Sequence, residues 1–352
     1  MNSSEGERLL RILQVGFGAW GRDWASRVLP GVPGVELAGG VDSEPTARKL
    51  AREVVGLPAS RILARLEEGL STVEPDAVLV TTLLPGHVPV ARAALEAGKH
   101  VLVEKPFAPS VAEARGLVEL AAERGLTLMV SQNYRYFPAV LAVAKLVRDG
   151  ELGQLHEVSI DFRKYSAVPL SGPGVHHTYE QPLLVDMSIH HFDLLRMILG
   201  REPASVTCRT WNPSWSGFAG PPVAVATIDF EEGPVVSYRG SWISAGLSTP
   251  WGGEWRMDFE LGEVLWTTRG DESSLADVVV VRPRGGKPKT RLLRRMGLID
   301  RWATLAEFAS AVRERREPQC SGRDNLGTLA IAAAAVESAA RGATVRILPT
   351  AD

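Results

Sequence analysis

Apolar residues in the first third of the chain follow two alternating patterns. Short, mostly apolar runs at 9–15, 35–41, 77–82, 100–103 and 126–130 have the length of strands buried on both faces. Between them, 20–29, 46–55, 88–97 and 111–123 space their apolar residues as helices do. Strand–helix alternation with short connections predicts a parallel sheet covered on both sides, and right-handed crossovers make it doubly wound. Gly98 and Gly125 stand where left-handed helix caps belong, and Ser110 with Glu113 reads as a capping box.

The pattern changes after Pro138. A helix at 139–148 ends at Asp149-Gly150, and 154–163 alternates like a strand with one exposed face. The polar, Pro/Gly-rich stretch 166–180 follows, then an apolar helical segment at 184–199. Several strand-like runs fill 204–281, the basic run 282–295 reads as a solvated loop, and helices at 305–315 and 325–341 close the chain. This describes an α/β Rossmann domain over 1–133. An α+β domain with a large, mostly antiparallel open sheet follows over 134–352, for substrate binding and oligomerisation. The final helices either belong to it or pack back on the first domain.

Composition narrows the function. A chain of 352 residues suits two domains, and 45% hydrophobic with 23% charged residues suits a globular protein. A net charge of −2 gives no pull toward nucleic acid or membrane. No uncharged run reaches the ~18 apolar residues of a membrane helix. Cys208 and Cys320 are far apart in sequence, which argues against a disulfide framework and fits a reducing cytosol. The segment 1–8 is short and polar, without a signal-peptide core, so the expected location is cytoplasmic.

The run at 9–15 leads directly into Gly16-Phe17-Gly18-Ala19-Trp20-Gly21, and a helix follows. Gly16 permits the tight turn, Gly18 lets backbone amides approach a pyrophosphate, and Gly21 lets the helix pack on the strand. The helix N-terminus favours the anion. Asp42, after the second strand, is placed to accept the ribose hydroxyls and repel a 2′-phosphate, which favours NAD. Ser43 and Arg48 are placed to relieve that repulsion, so NADP stays open. A strand–turn–helix that binds nothing is the competing reading, and the full context of strand, helix and acid weighs against it.

The run at 100–103 ends at Glu104-Lys105-Pro106. In open parallel sheets ligands bind beyond the carboxyl ends of the strands, which puts Lys105 at the cofactor crevice rather than on a bland surface. A lysine there can exchange a proton with a substrate hydroxyl. From Ala94 through Val101 the chain reads ALEAGKHV. With Glu104-Lys105-Pro106, Asn133-Tyr134-Arg135-Tyr136-Phe137-Pro138 and the segment 186–200, it resembles the Gfo/Idh/MocA oxidoreductases over nearly its whole length.

The resemblance implies that Lys105 lies beside the nicotinamide and the substrate hydroxyl, and that Glu104 lines the nicotinamide ribose. It further implies that Thr82, Leu83, Leu84 and His87 edge the cofactor, although Leu83 replaces a usual proline and Leu84 a usual polar residue. Phe17, Ala19 and Trp20 join the cofactor contacts through the glycine loop, and Trp20 is also a candidate wall of the pocket. Asn133, Tyr134 and Arg135 are implied at the substrate.

Asp186 and His190 are four apart, so on a helix they share a face. An aspartate there can orient the imidazole and stabilise its charged form, which makes His190 a general base. The resemblance places this pair in the active site, with Lys105. His191 and Asp193 repeat the family pattern, and Asp193 reads as structural. Glu180-Gln181-Pro182 and Ser188 stand where the family often has glycine, which points to unusual specificity. His176, His177 and Tyr179 are candidate contacts for substrate hydroxyls, with an exposed polar loop as the alternative. No metal is expected, because His-x-x-x-His spacing is absent and no cysteine is near.

The favoured activity is hydride transfer between nicotinamide and a secondary alcohol or ketone of a sugar, cyclitol or polyol. Two alternatives share the fold: an NAD-dependent glycosidase that oxidises its sugar transiently, and a non-catalytic dinucleotide sensor, which would lack the lysine or histidine. The resemblance implies a homodimer or homotetramer formed through the second domain's sheet. Tryptophans 211, 215, 242, 251, 255 and 266 serve that interface or the domain's own core. Residues 160–182 and 210–255 choose the substrate.

Overall fold

The structure, a computed structural model, describes residues 8–166, 174–270 and 277–350. Most of the stretch expected as a polar loop before Val175, residues 167–173, lies outside them. Two compact units emerge: Met1–Asn133 with Arg301–Leu326, and Tyr134–Asp300 with Gly327–Asp352.

The first unit is built on a parallel six-stranded sheet. Its strands are β1 (Leu10–Val15), β2 (Val35–Val41), β3 (Ile62–Leu63), β4 (Ala77–Val80), β5 (His100–Glu104) and β6 (Leu128–Ser131), in the order β3-β2-β1-β4-β5-β6. Ile12, Leu13, Val78, Leu79, Leu102, Val103, Met129 and Val130 are fully buried, which is why these strands read as largely apolar runs.

The helices are α1 (Ala19–Asp23), α2 (Pro45–Val55), α3 (Leu66–Val73), α4 (Leu84–Glu96) and α5 (Val111–Glu123). The single helix expected at 20–29 is instead three pieces: α1, a π turn at Trp24–Val28 and a 3₁₀ turn at Leu29–Gly31. Pro30 ends regular helix there, because it lacks the N–H that the ladder needs. β3 and α3 were not expected, since a two-residue strand leaves no periodicity to read. The Ser110 hydroxyl accepts the Glu113 amide, as the capping box predicts, and donates to the Glu113 carboxylate, which a full capping box would instead set on the Ser110 N–H. The segment around Ser321 extends the edge of β6: the Val130 amide donates to Cys320 O, and Met129 bridges Ser321.

The second unit carries a nine-stranded sheet. Its strands are β7 (Leu155–Arg163), β8 (Ser205–Trp211), β9 (Val223–Asp229), β10 (Val235–Ser241), β11 (Glu254–Phe259), β12 (Gly262–Thr267), β13 (Val278–Pro283), β14 (Lys289–Thr290) and β15 (Val345–Arg346). The order is β14-β13-β12-β11-β7-β10-β9-β8-β15, antiparallel except where β7 meets β10. The basic run expected as a loop thus contributes the end of β13 and an edge strand, β14.

α6 (Pro138–Arg148), α7 (Ile189–Leu199) and the later turns of α9 (Gly322–Arg341) supply Val140, Val143, Phe192, Leu195, Ile331 and Ala335 to one core with the inward side chains of the sheet. The remaining helix is α8 (Asp300–Glu314). Trp242, Trp255 and Trp266 are buried, whereas Trp211 and Trp215 are exposed. Successive residues in a strand point to opposite faces, so the other face is polar. Ion pairs run along it: Arg163 to Asp161 within β7, and across strands Arg239 to Asp161, Arg163 to Glu254, and Arg256 and Arg282 to Glu263. Among the described residues, no helix is long and apolar enough to cross a membrane.

Candidate active site

β1 delivers the chain into the glycine loop at Gly16, whose φ of +99° is open to glycine and strained for other residues. A side chain at Gly21 would meet Gly16 O at 2.1 Å, so helix and strand are packed as closely as backbone allows. At Gly18 an added Cβ would meet nothing within 4 Å. That free space above the loop is the cradle a pyrophosphate needs. Gln14, fully buried near the end of β1, donates to Gly16 O and Gly21 O (3.1 and 2.7 Å), and the Thr81 hydroxyl donates to Gly16 O (2.7 Å).

Asp42 follows β2 and is locked to the same loop. Its Oδ2 accepts the Phe17 N–H at 2.7 Å and its Oδ1 the Glu44 N–H at 2.9 Å. Arg48 donates to the carbonyls of Asp42 and Ser43, both at 2.7 Å. Trp20 is 43% exposed, with the buried Arg301 guanidinium over its ring at 4.0 Å. Arg301 also pairs with Asp23 at 2.5 Å.

β5 ends at Glu104, whose Oε1 accepts Trp24 Nε1–H at 2.7 Å and whose Oε2 accepts the Lys105 N–H at 3.2 Å. The Lys105–Pro106 peptide is cis. His87, in α4, is buried with Nδ1 2.7 Å from Pro106 O and Nε2 3.1 Å from Thr82 O. Burial is the main cause that lowers its pKa. Both ring nitrogens face backbone carbonyls, so this histidine ties the turn after Lys105 to the loop after β4. Leu83 is 62% exposed at the start of α4. At the end of β6, the Gln132 amide is buried with neither its nitrogen nor its oxygen bonded. Together with the space over Gly18, these unmet donors and acceptors at the carboxyl ends of the strands fit a dinucleotide.

In the second unit, Tyr134 stacks on His190, with ring centroids 4.0 Å apart and planes 4° from parallel. Burial pushes the Tyr134 phenol well above its ordinary range. Asp186 lies in a π turn, Leu183–Ser188, which passes into α7 at Ile189. The expected uniform helix is therefore widened where the aspartate sits. Single π turns occur disproportionately at functional sites.

Arg135 and Asp193 form a bidentate pair with both contacts at 2.6 Å, buried, and the Thr328 hydroxyl adds a bond to Asp193 at 3.0 Å. His191 is buried between the Tyr238 hydroxyl (3.2 Å) and Trp251 O (3.1 Å), and desolvation lowers its pKa to about 4. His176 and His177 sit in a 3₁₀ turn with centroids 3.8 Å apart. His176 Nε2 lies 3.0 Å from the Ser166 hydroxyl, and His177 Nδ1 accepts the Gly174 N–H. His177 lines a cavity of about 380 Å³ with Asn212, Ser216 and Phe218. Tyr179 is half-buried, and burial raises its pKa.

Asn133 is buried and begins the 3₁₀ turn that ends at Tyr136. Three contributors were missed in the sequence: Gln14, Trp24 and Arg301. Gln14 carried a signal, as a polar residue within a buried apolar run. The other two act through contacts between distant positions and carried none.

The six-stranded parallel sheet, its glycine cradle and the acid after β2 define an NAD-binding oxidoreductase fold. Residues 10–132 match the family model described as "Oxidoreductase family, NAD-binding Rossmann fold", and residues 140–262 match the GFO/IDH/MocA C-terminal domain. The chain belongs to the Gfo/Idh/MocA oxidoreductase family. It is 30% identical over 336 residues to D-apiose dehydrogenase of Paraburkholderia graminis, spanning 90% of this chain and 84% of that one. It is 26% identical over 296 residues to 1,5-anhydro-D-fructose reductase of Ensifer adhaerens, spanning 80% and 83%. Its fold is similar to that of an oxidoreductase from Agrobacterium radiobacter solved with NAD+, L-tartaric acid and magnesium (TM-score 0.84, 23% identity, 96% and 98% coverage).

Proposed function

We propose that the protein is an NAD-dependent dehydrogenase or reductase acting on a secondary alcohol or ketone of a sugar or cyclitol. The observation that carries the reading is His190, held face to face on Tyr134 at the start of α7, one turn beyond Asp186. A clamped imidazole with a carboxylate on the preceding turn suits proton transfer with a substrate hydroxyl. When bound, NAD supplies the hydride acceptor.

In this reading residues 1–133 hold the cofactor. Gly16 to Gly21 receive the pyrophosphate, Asp42 the adenosine ribose, and Glu104, the half-buried Thr82 and the exposed Leu83 the nicotinamide side. Lys105 holds or moves a proton at the reacting oxygen. His190 takes or returns it, and Asp186 stabilises the charged ring. Asn133, Tyr134, His176, His177 and Tyr179 are proposed to contact or shape the space for substrate. Arg135, committed to Asp193, and His87, packed between two carbonyls, are proposed to act by positioning. The outward face of the nine-stranded sheet, where Trp211, Val225, Val235 and Leu265 are exposed among ion pairs, is proposed to join copies of the chain; sedimentation analysis tests this.

The test is absorbance at the nicotinamide band across sugars and cyclitols, D-apiose and 1,5-anhydro-D-fructose among them. Cofactor binding without any absorbance change across the panel sinks the proposal. Retained NAD with net hydrolysis identifies the glycosidase alternative. Lys105→Met is expected to abolish turnover while NAD still binds; unchanged turnover rules out the proton role.

A further inference from the structure

The glycine loop lies at the carboxyl ends of the parallel strands. The opposite end of the sheet, where β5 starts at His100 and β6 at Leu128, carries a basic trough. A cavity of about 610 Å³ lies between the α5–β6 connection and the segment from Val312 to Arg323. A second, of about 280 Å³, lies beside the starts of β1 and β5. His100 and Val312 line both, so the two adjoin.

Arg8, Lys99 and Arg313 line the smaller cavity, and Arg315, Arg316 and Arg323 the larger. The carboxylates facing them are Asp76 and Glu317. Asp76 is taken by the Arg8 guanidinium and the Arg11 amide, and Glu317 accepts the Ser321 hydroxyl. Arg316 is committed to Glu307 and Glu314. Among the described residues, no carboxylate pairs with Lys99, Arg315 or Arg323. His100 Nδ1 accepts the Thr127 N–H at 2.9 Å, so the proton of the neutral ring sits on Nε2. The rest of the wall is largely apolar, with Val118, Leu126 and Pro318.

A concave site with uncompensated guanidinium and ammonium groups over an apolar floor selects an anion with several acceptor oxygens. We propose that this trough binds a phosphate-bearing small molecule, with Arg315, Arg323 and Lys99 as its direct contacts. The guanidinium groups offer two-pronged donors to a phosphate, and Lys99 a point charge. None of these residues belongs to the glycine cradle, so the inference stands apart from the proposed reaction.

The test is calorimetric titration of the NAD-saturated protein with inorganic pyrophosphate at constant ionic strength, with sodium chloride as blank and citrate as a non-phosphate trianion. Saturable binding to one site is expected. Arg315→Ala with Arg323→Ala should weaken it by about tenfold or more, while NAD affinity and melting temperature hold. Arg315→Lys with Arg323→Lys, which keeps charge and loses the fork, should fall between. Binding equal in the double alanine variant, heat that never saturates, or citrate binding as tightly as pyrophosphate each overturn the proposal.

Discussion

His191 shows how a residue beside the proposed catalytic histidine can report on the fold instead of the chemistry. Its ring is accommodated as a neutral group: Nε2–H donates to Trp251 O, and Nδ1 accepts from the Tyr238 hydroxyl, which also meets Ser188 at 2.7 Å. Its folded pKa of about 4 lies below the ordinary 6.5. The unfolded chain therefore takes up the proton first as pH falls. This group costs nothing above about pH 6.5, and stability drops as pH descends from there toward 4. Between pH 7 and pH 5 the expected loss is about 2 kcal/mol. Denaturant titrations at the two values check it: His191→Gln should show a shallower drop than the natural protein, and parallel drops refute the assignment. Arg135 teaches the same lesson. It is adjacent to Tyr134, yet its charge is matched inside the protein by Asp193, and a buried pair of this kind cannot lose one member cheaply.

At the scale of elements, the strand–loop–helix around Gly16 separates two uses of glycine. Gly18→Ala adds a methyl group to open space, so the fold should melt normally while NAD affinity falls by an order of magnitude or more. Gly21→Ala drives a methyl group into Gly16 O and should lower the melting temperature as well. Melting curves with and without NAD distinguish the two, and a Gly18→Ala protein with normal affinity removes the loop from the cofactor site. The parallel strands were legible because burial on both faces leaves few polar positions: residues 35–41, with Glu36 their one polar side chain, agree in full with β2. The second sheet was legible only as a class, because its order depends on which strands meet across long connections. The π turns at Trp24 and Asp186 left no trace, since a widened turn uses the same residue types as an ordinary one. Of the proposed site, Asp42, Lys105 and the Asp186–His190 spacing are the parts a local reading of the sequence singles out. The stacking of Tyr134 on His190 joins positions too far apart in sequence for periodicity to report.

At the scale of the whole molecule, each unit holds one buried cysteine: Cys320 in the first and Cys208 in the second. Burial raises the Cys208 thiol to about 11, so neither is expected to react without an opening of its unit. NAD at a hundred times its dissociation constant stabilises the unit that binds it by about 2.7 kcal/mol. Thiol labelling of Cys320 should then slow by up to about a hundredfold, with Cys208 little changed. Equal slowing of both would show that the two units open together.

Residues 301–326 complete the first unit, laying Cys320 and Ser321 along the edge of β6 and Arg301 over Trp20. The consequence belongs to synthesis. A ribosome releases β6 long before it reaches Cys320, and at about 5–20 residues per second the wait is on the order of ten to forty seconds. Throughout that interval the nascent dinucleotide fold keeps an unfinished edge, the kind of feature chaperones exist to guard.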